Sequence, residues 1–220
     1  MPKTAPRLQL TDRDTDVLAT LSLRIRMASI MQIGRNWWAG CRNPESMARE
    51  RLRALEAAGY IRSISTAIIA LSELEQPLAV WKPGQMRPNL GAVAWKLKKR
   101  WEIPLQQSTV YFVTRRTAQY FAGSRCGGIP RSFQISHDLG VAEMHFAMRR
   151  LRPHLIQYWI DEDRFAQFRR GEKLPDAVLG QKLGPVPFLA LEFGSGSYGK
   201  QRLEDFSEDC IDRGLSYEVW

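Results

Sequence analysis

The chain has 220 residues, 44% of them hydrophobic, and a formal net charge of +9. That length suits one large domain or two small ones with ordinary cores. No apolar run reaches the roughly eighteen residues of a membrane span, and Met1 to Leu10 lacks the apolar centre of a signal peptide, so a cytoplasmic protein with no membrane association is expected.

The excess charge is confined to one end. Residues 1–100 carry 17 Lys+Arg against 8 Asp+Glu, whereas residues 101–220 carry 15 of each. A polyanion partner for the N-terminal half follows, with a solvated basic face as the alternative. Cys41, Cys126 and Cys210 are far apart and form no CxxC pair, which argues against a zinc site and a disulfide framework.

"LTDRDTDVLATLSLR" predicts the first helix, capped by Thr11 with Asp14 at the third position and an apolar stripe of Val17, Leu18 and Leu21. "MASIMQIGRNWW" predicts a short second helix broken near Gly34. The best-marked helix is "NPESMARERLRALEAAGYI". Asn43 caps it, Pro44 takes the first position, Met47, Ala48, Leu52 and Leu55 form its inner face, and Gly59 ends it. Three helices in this order, followed by the strand "YIRSISTAIIAL", predict a winged helix-turn-helix. In that arrangement the third helix reads the major groove of double-stranded DNA, which makes Arg42, Ser46, Arg49 and Arg53 the candidate contacts.

The wing needs a second strand. "PLAVW" (77–81) is the nearer candidate and "TVYFVT" (109–114) the stronger one. Between them "RPNLGAVAWKLKKRW" predicts a helix ending in Lys96, Lys98, Lys99 and Arg100. With Trp95 and Trp101 interleaved, Lys98, Lys99 and Arg100 are candidates to clamp a phosphate backbone, although such a cluster also complements a helix C-terminus. "RRTAQYFAG" follows as a helix, and the Gly/Pro/Arg stretch 122–132 is the expected linker.

The C-terminal half reads as the helix "ISHDLGVAEMHFAMRRLR", then strands in "LIQYWID", "PDAVL" and "PFLALEF", a helix from about Tyr198 to Asp212, and a last strand in "LSYEVW". Helix, three strands, helix and strand is the order of the PD-(D/E)XK nuclease core. There, two carboxylates on adjacent strands hold Mg²⁺ or Mn²⁺ and a nearby lysine steadies the attacking water. Asp176 and Glu192 take the two carboxylate and metal positions, and Glu143 offers a third carboxylate. Two residues after Glu192 stands Gly194 where the motif has lysine, which leaves Lys200 as the substitute. A turn cap for Asp176, and a partner for Glu192 in Arg202 or Lys200, are the plainer readings. His137, His145 and His154 match no zinc spacing, and "GSGSYGK" (194–200) lacks the Ser or Thr of a phosphate loop.

Taken in order, "PESMARERLRALEAAGYI", "VYFVTRRTAQYFAG", "SHDLGVAEMHF" and "LPDAVL…LALEF" resemble the replication-relaxation family of plasmid and mobile-element proteins, from about Leu10 to Trp220. The resemblance implies a winged helix in front of a PD-(D/E)XK-like domain and a role in replication or mobilisation of extrachromosomal DNA. The expected fold class is therefore α+β, with a DNA-binding region over 1–124 that includes a basic insertion, and a nuclease-like domain over 125–220. The leading expectation is a double-stranded-DNA-binding protein whose nuclease-like domain does not cleave. A metal-dependent endonuclease using Asp176, Glu192 and Lys200, and a transcriptional regulator with a C-terminal homodimerisation domain, are the alternatives. No cofactor is required by the first, Mg²⁺ or Mn²⁺ by the second, and plasmid replication or mobilisation proteins are the expected protein partners.

Overall fold

A computed structural model describes residues 8–123, 132–167, 169, 174–181, 186–196 and 198–220. Residues 124–131, the body of the expected linker and the place of Cys126, lie outside them. The fold is mixed α+β. In chain order the elements begin with α1 (Asp12–Leu23), β1 (Ala28–Ser29), α2 (Ile30–Trp37), α3 (Pro44–Ala57), β2 (Ile61–Ile69), β3 (Ala79–Trp81), α4 (Leu90–Trp101), β4 (Leu105–Val113) and α5 (Arg115–Tyr120). They continue with α6 (Ser132–Leu151), β5 (Trp159–Asp161), α7 (Glu162–Phe165), β6 (Ala177–Gly180), β7 (Pro187–Glu192), α8 (Lys200–Asp212) and β8 (Ser216–Val219). Two compact units result, Met1–Thr66 with Gln107–Pro130, and Ala67–Gln106 with Arg131–Trp220. Residues 67–106, which the sequence reading places with the N-terminal region, thus pack with the second unit.

In the first unit, Thr11 accepts the Asp14 backbone N–H while the Asp14 side chain accepts that of Thr11, a reciprocal cap that starts α1. The same Asp14 carboxylate, fully buried, receives both Nε and Nη2 of Arg51 from α3, at 3.0 and 2.5 Å. One aspartate therefore starts one helix and ties another to it. A second reciprocal cap, between Ser29 and Gln32, starts α2 and follows a two-residue strand that hydropathy does not announce. Gly34 lies within α2 and does not break it. A Cβ there would sit 3.1 Å from the Glu45 backbone nitrogen, so its bareness lets the start of α3 approach. Asn43 makes no side-chain cap on α3, and Met47 is 46% exposed, which removes it from the expected inner face. Gly59, at φ +79°, turns the chain out of α3. The three strands order as β1-β4-β2, so "TVYFVT" and not "PLAVW" supplies the neighbour of β2.

The second unit is a five-stranded sheet ordered β3-β8-β7-β6-β5. β5, β6 and β7 run as an antiparallel meander, and β8 returns parallel to β7 after α8. "PLAVW" supplies β3, which pairs antiparallel with β8 at the sheet edge. Leu90, Val93 and Leu97 of α4 share a core with Leu203, Phe206 and Cys210 of α8. Met144 and Met148 of α6 pack with Trp159, Leu179, Leu191 and Phe193 in a second core. Among the described residues no helix is long and apolar enough to cross a membrane.

Arg51→Ala strands a buried carboxylate and should lower the unfolding free energy by about 2 to 3 kcal/mol in urea. Asp14 also sets a pH dependence. Burial pushes its carboxyl up, but donation from Arg51 and Thr11 outweighs this and holds it below the ordinary aspartate range. A depressed acid contributes stability above its unfolded value and loses it as the pH falls through its folded one. Asp14→Asn should therefore be less stable at neutral pH yet lose less on acidification below the aspartate range. Acid-unfolding curves parallel to the wild type would remove Asp14 from that response.

Candidate functional site

The register of β6 against β7 pairs Ala177 with Leu191. One step further out, Asp176 and Glu192 face each other across the two strands. The Asp176 backbone N–H donates to Glu192 Oε2 at 3.3 Å, and the Phe193 backbone N–H donates to Asp176 Oδ2 at 2.8 Å. The Tyr198 hydroxyl donates to Glu192 Oε1 at 2.8 Å, and Arg202 Nη2 donates to the Tyr198 oxygen at 2.7 Å. On the other side His137 Nε2 lies 3.4 Å from Asp176 Oδ1, with its Nδ1 4.0 Å from Asp138 Oδ1.

The charge states follow from this packing. Burial, then the Asp176 charge, push the Glu192 carboxyl up to about 8, well above the carboxylate range. Burial opposes a charged His137, but Asp138 and Asp176 prevail and raise it to about 10, so the imidazolium is kept. Burial and the Glu192 charge raise the Tyr198 hydroxyl far above its ordinary value, which keeps it a donor.

Position 194, where the sequence reading looks for a lysine and finds glycine, is closely packed. A Cβ on Gly194 would meet the Leu97 methyls at 2.3 Å, so α4 occupies the space that a side chain at this position needs. Trp101, one turn later on α4, donates its indole N–H to the Gly194 carbonyl at 2.9 Å. Helical Gly140 has the same logic, because a Cβ there would lie 1.9 Å from the Phe193 ring. A glycine inside a helix costs about 1 kcal/mol, and here it admits the residue whose N–H holds Asp176.

Lys200 does not join the pair. Its amine lies 3.2 Å from Glu204, it is 64% exposed, and its stem runs beside Gly91, ten residues before Trp101. That separation is about 15 Å along α4. Glu143 is fully buried on α6, six residues past His137.

A divalent cation would need open carboxylate oxygens in a near-octahedral shell. All four oxygens of Asp176 and Glu192 already face protein donors. Among the described residues no group of three or more His, Cys, Asp or Glu is arranged to hold a metal ion. The pair does not fit a catalytic Mg²⁺ or Mn²⁺, and the charges that compensate it are His137 and, through Tyr198, Arg202.

The candidate nucleic-acid contacts lie elsewhere. Arg42, Ser46, Arg49 and Arg53 are all exposed, at steps of four, three and four, and so form one row beside and along α3. Among the described residues none of the three guanidinium groups is ion-paired. On α4, Lys98 is exposed, Lys99 pairs with Glu102 at 2.8 Å, and Arg100 turns inward.

Hydropathy patterns did not single out His137, Tyr198 or Phe193. The step of four from Tyr198 to Arg202 was legible, and the guanidinium carbon indeed lies 3.9 Å from the ring centroid. His137 carried no local sign, because its partner is 39 residues away. Asp176→Ala should cost about 2 to 3 kcal/mol in urea with EDTA present, since it strands the Phe193 N–H and removes a carboxylate partner of the half-buried His137 imidazolium. Equal stability of variant and wild type there would show that the pair does not hold the sheet together. Comparison of the chain with protein families, curated proteins and solved structures finds no match.

Proposed function

We propose that the protein binds double-stranded DNA of plasmids or mobile elements through a winged helix in its first unit, and that its second unit is a PD-(D/E)XK-like scaffold without cleavage activity. The observation that carries this reading is the exposed row of Arg42, Arg49 and Arg53 with Ser46 between them, free of ion pairs among the described residues. Three helices, with β1 between the first two, and β2 and β4 completing a sheet in the order β1-β4-β2 support the winged-helix part. In such a module the third helix enters the major groove, where Arg takes guanine by a bidentate contact and Ser reaches bases or phosphate. The net charge of the first hundred residues favours the same polyanion.

The endonuclease reading has one observation in its favour. Asp176 and Glu192 do meet on adjacent strands, behind a helix and in front of α8 and β8. Against it stand the occupied oxygens, the Leu97 methyls over Gly194 and the Lys200 amine, which is exposed and paired with Glu204. A scaffold that keeps the fold and stabilises its carboxylates from within accounts for all of these. Replication or mobilisation of extrachromosomal DNA is the context, with replication or mobilisation proteins as partners.

Arg49→Ala with Arg53→Ala should weaken duplex binding by about 1 to 3 kcal/mol per lost base contact, read by fluorescence anisotropy at moderate salt. Unchanged affinity would sink the assignment of α3. On supercoiled and branched DNA with Mn²⁺, wild type, Glu192→Ala and Lys200→Ala should be equally inert. Nicking by the wild type that both variants lose would establish an active nuclease instead.

A further inference from the structure

Of the four cations that end α4, Lys96, Lys98 and Lys99 are exposed and Arg100 is half-buried. Helical spacing is the cause. Val93, Leu97 and Arg100 recur at steps of four and three, so Arg100 extends the stripe that packs α4 against the rest of its unit. Its guanidinium carbon lies 5.6 Å from the centroid of the buried Phe193 ring. Its Nη1 is buried and, among the described residues, has no acceptor. Burial lowers its pKa, yet an arginine stays charged in proteins.

The nearby carboxylates do not answer this charge. Asp176 and Glu192 are committed to the donors described above, and Glu102 accepts from Lys99. A cation desolvated in this way calls for an anion from outside. Trp95, 62% exposed and two residues before the buried Leu97, lies at helical steps of three and four from the exposed Lys98 and Lys99, which leaves an aromatic side chain among cations on the outer side of α4. Such a surface suits a phosphodiester backbone and an adjoining base better than an isolated carboxylate.

We propose that Arg100 is the anion-binding residue of the second unit and takes a phosphate of a nucleic-acid backbone, a contact separate from α3. The proposal rests on the DNA-binding reading and adds a second point of attachment to it. The guanidinium fork offers two parallel donors to one phosphate, which an ammonium at this position does not reproduce.

The test compares the full chain with Arg100→Met, Arg100→Lys and Arg49→Ala/Arg53→Ala. Melting is followed with and without inorganic phosphate, and binding of a labelled duplex and a labelled single strand is followed across a salt series. Arg100→Met should melt at or above the wild type without anion, because an apolar chain then replaces an uncompensated cation over Phe193. Phosphate should raise the melting temperature of the wild type and of the α3 variant but not that of Arg100→Met. On DNA, Arg100→Met should bind about three- to tenfold more weakly, with the salt slope shallower by about one, and Arg100→Lys should fall between.

Wild-type affinity and salt slope in Arg100→Met would overturn the proposal whatever the α3 variant does. So would a large loss of melting temperature in Arg100→Met without anion, since the guanidinium would then already be compensated within the protein. Stabilisation by phosphate with no effect on DNA would mark a free-phosphate site and overturn the nucleic-acid assignment. Full DNA affinity in the α3 variant would overturn the recognition-helix reading while leaving the Arg100 comparison to stand or fall by itself.

Discussion

Two carboxyl groups set opposite each other on adjacent strands cannot both be buried as free charges. The second unit is organised around that constraint. Asp176 and Glu192 meet because the register of β6 and β7 places them across from one another, and the sheet tolerates them because donors reach every oxygen. His137 brings a charge from α6, and Arg202 brings one from α8 through the Tyr198 hydroxyl. The two helices that flank the strands are thereby tied to the same pair. A metal ion would supply compensation of the same sign, and here the chain supplies it from its own side chains.

The position after Phe193 shows how a distant segment shapes this region. α4 lies between β3 and β4 in the chain, about ninety residues before Gly194, yet its Leu97 fills the space in front of that glycine and its Trp101 holds the glycine carbonyl. A lysine at 194 would require the Leu97 side chain to move. Arg100 then rides on the same helix toward Phe193, so the segment that excludes one cation presents another in a different orientation. A guanidinium lying over a ring is suited to holding an anion.

The first unit obeys a comparable economy of charge. Asp14 is consumed by the cap of α1 and by Arg51, and Glu56 by the backbone N–H and hydroxyl of Ser63. These acids stabilise structure and do not neutralise the outer row of α3. Arg42, Arg49 and Arg53 consequently keep their positive field toward solvent, which is the property a phosphate-rich partner would meet.

Local order was largely legible in the sequence. Thr11 with Asp14, Pro44 and Gly59 mark helix ends through backbone chemistry that needs no distant partner, and short apolar runs announce the strands of the C-terminal half. The facing of Asp176 and Glu192 was legible too, since a short connection between neighbouring strands leaves little choice of partner. What only the tertiary structure decided were the pairings between remote segments: β4 beside β2, "PLAVW" on the edge of the other sheet, and the insertion 67–106 packed with the second unit. It also decided the charge on the carboxylate pair, the role of His137 and the inward turn of Arg100. Those depend on desolvation and on which groups lie within a few ångströms, and both are set by the closing of the sheet and its helices, not by spacing along the chain.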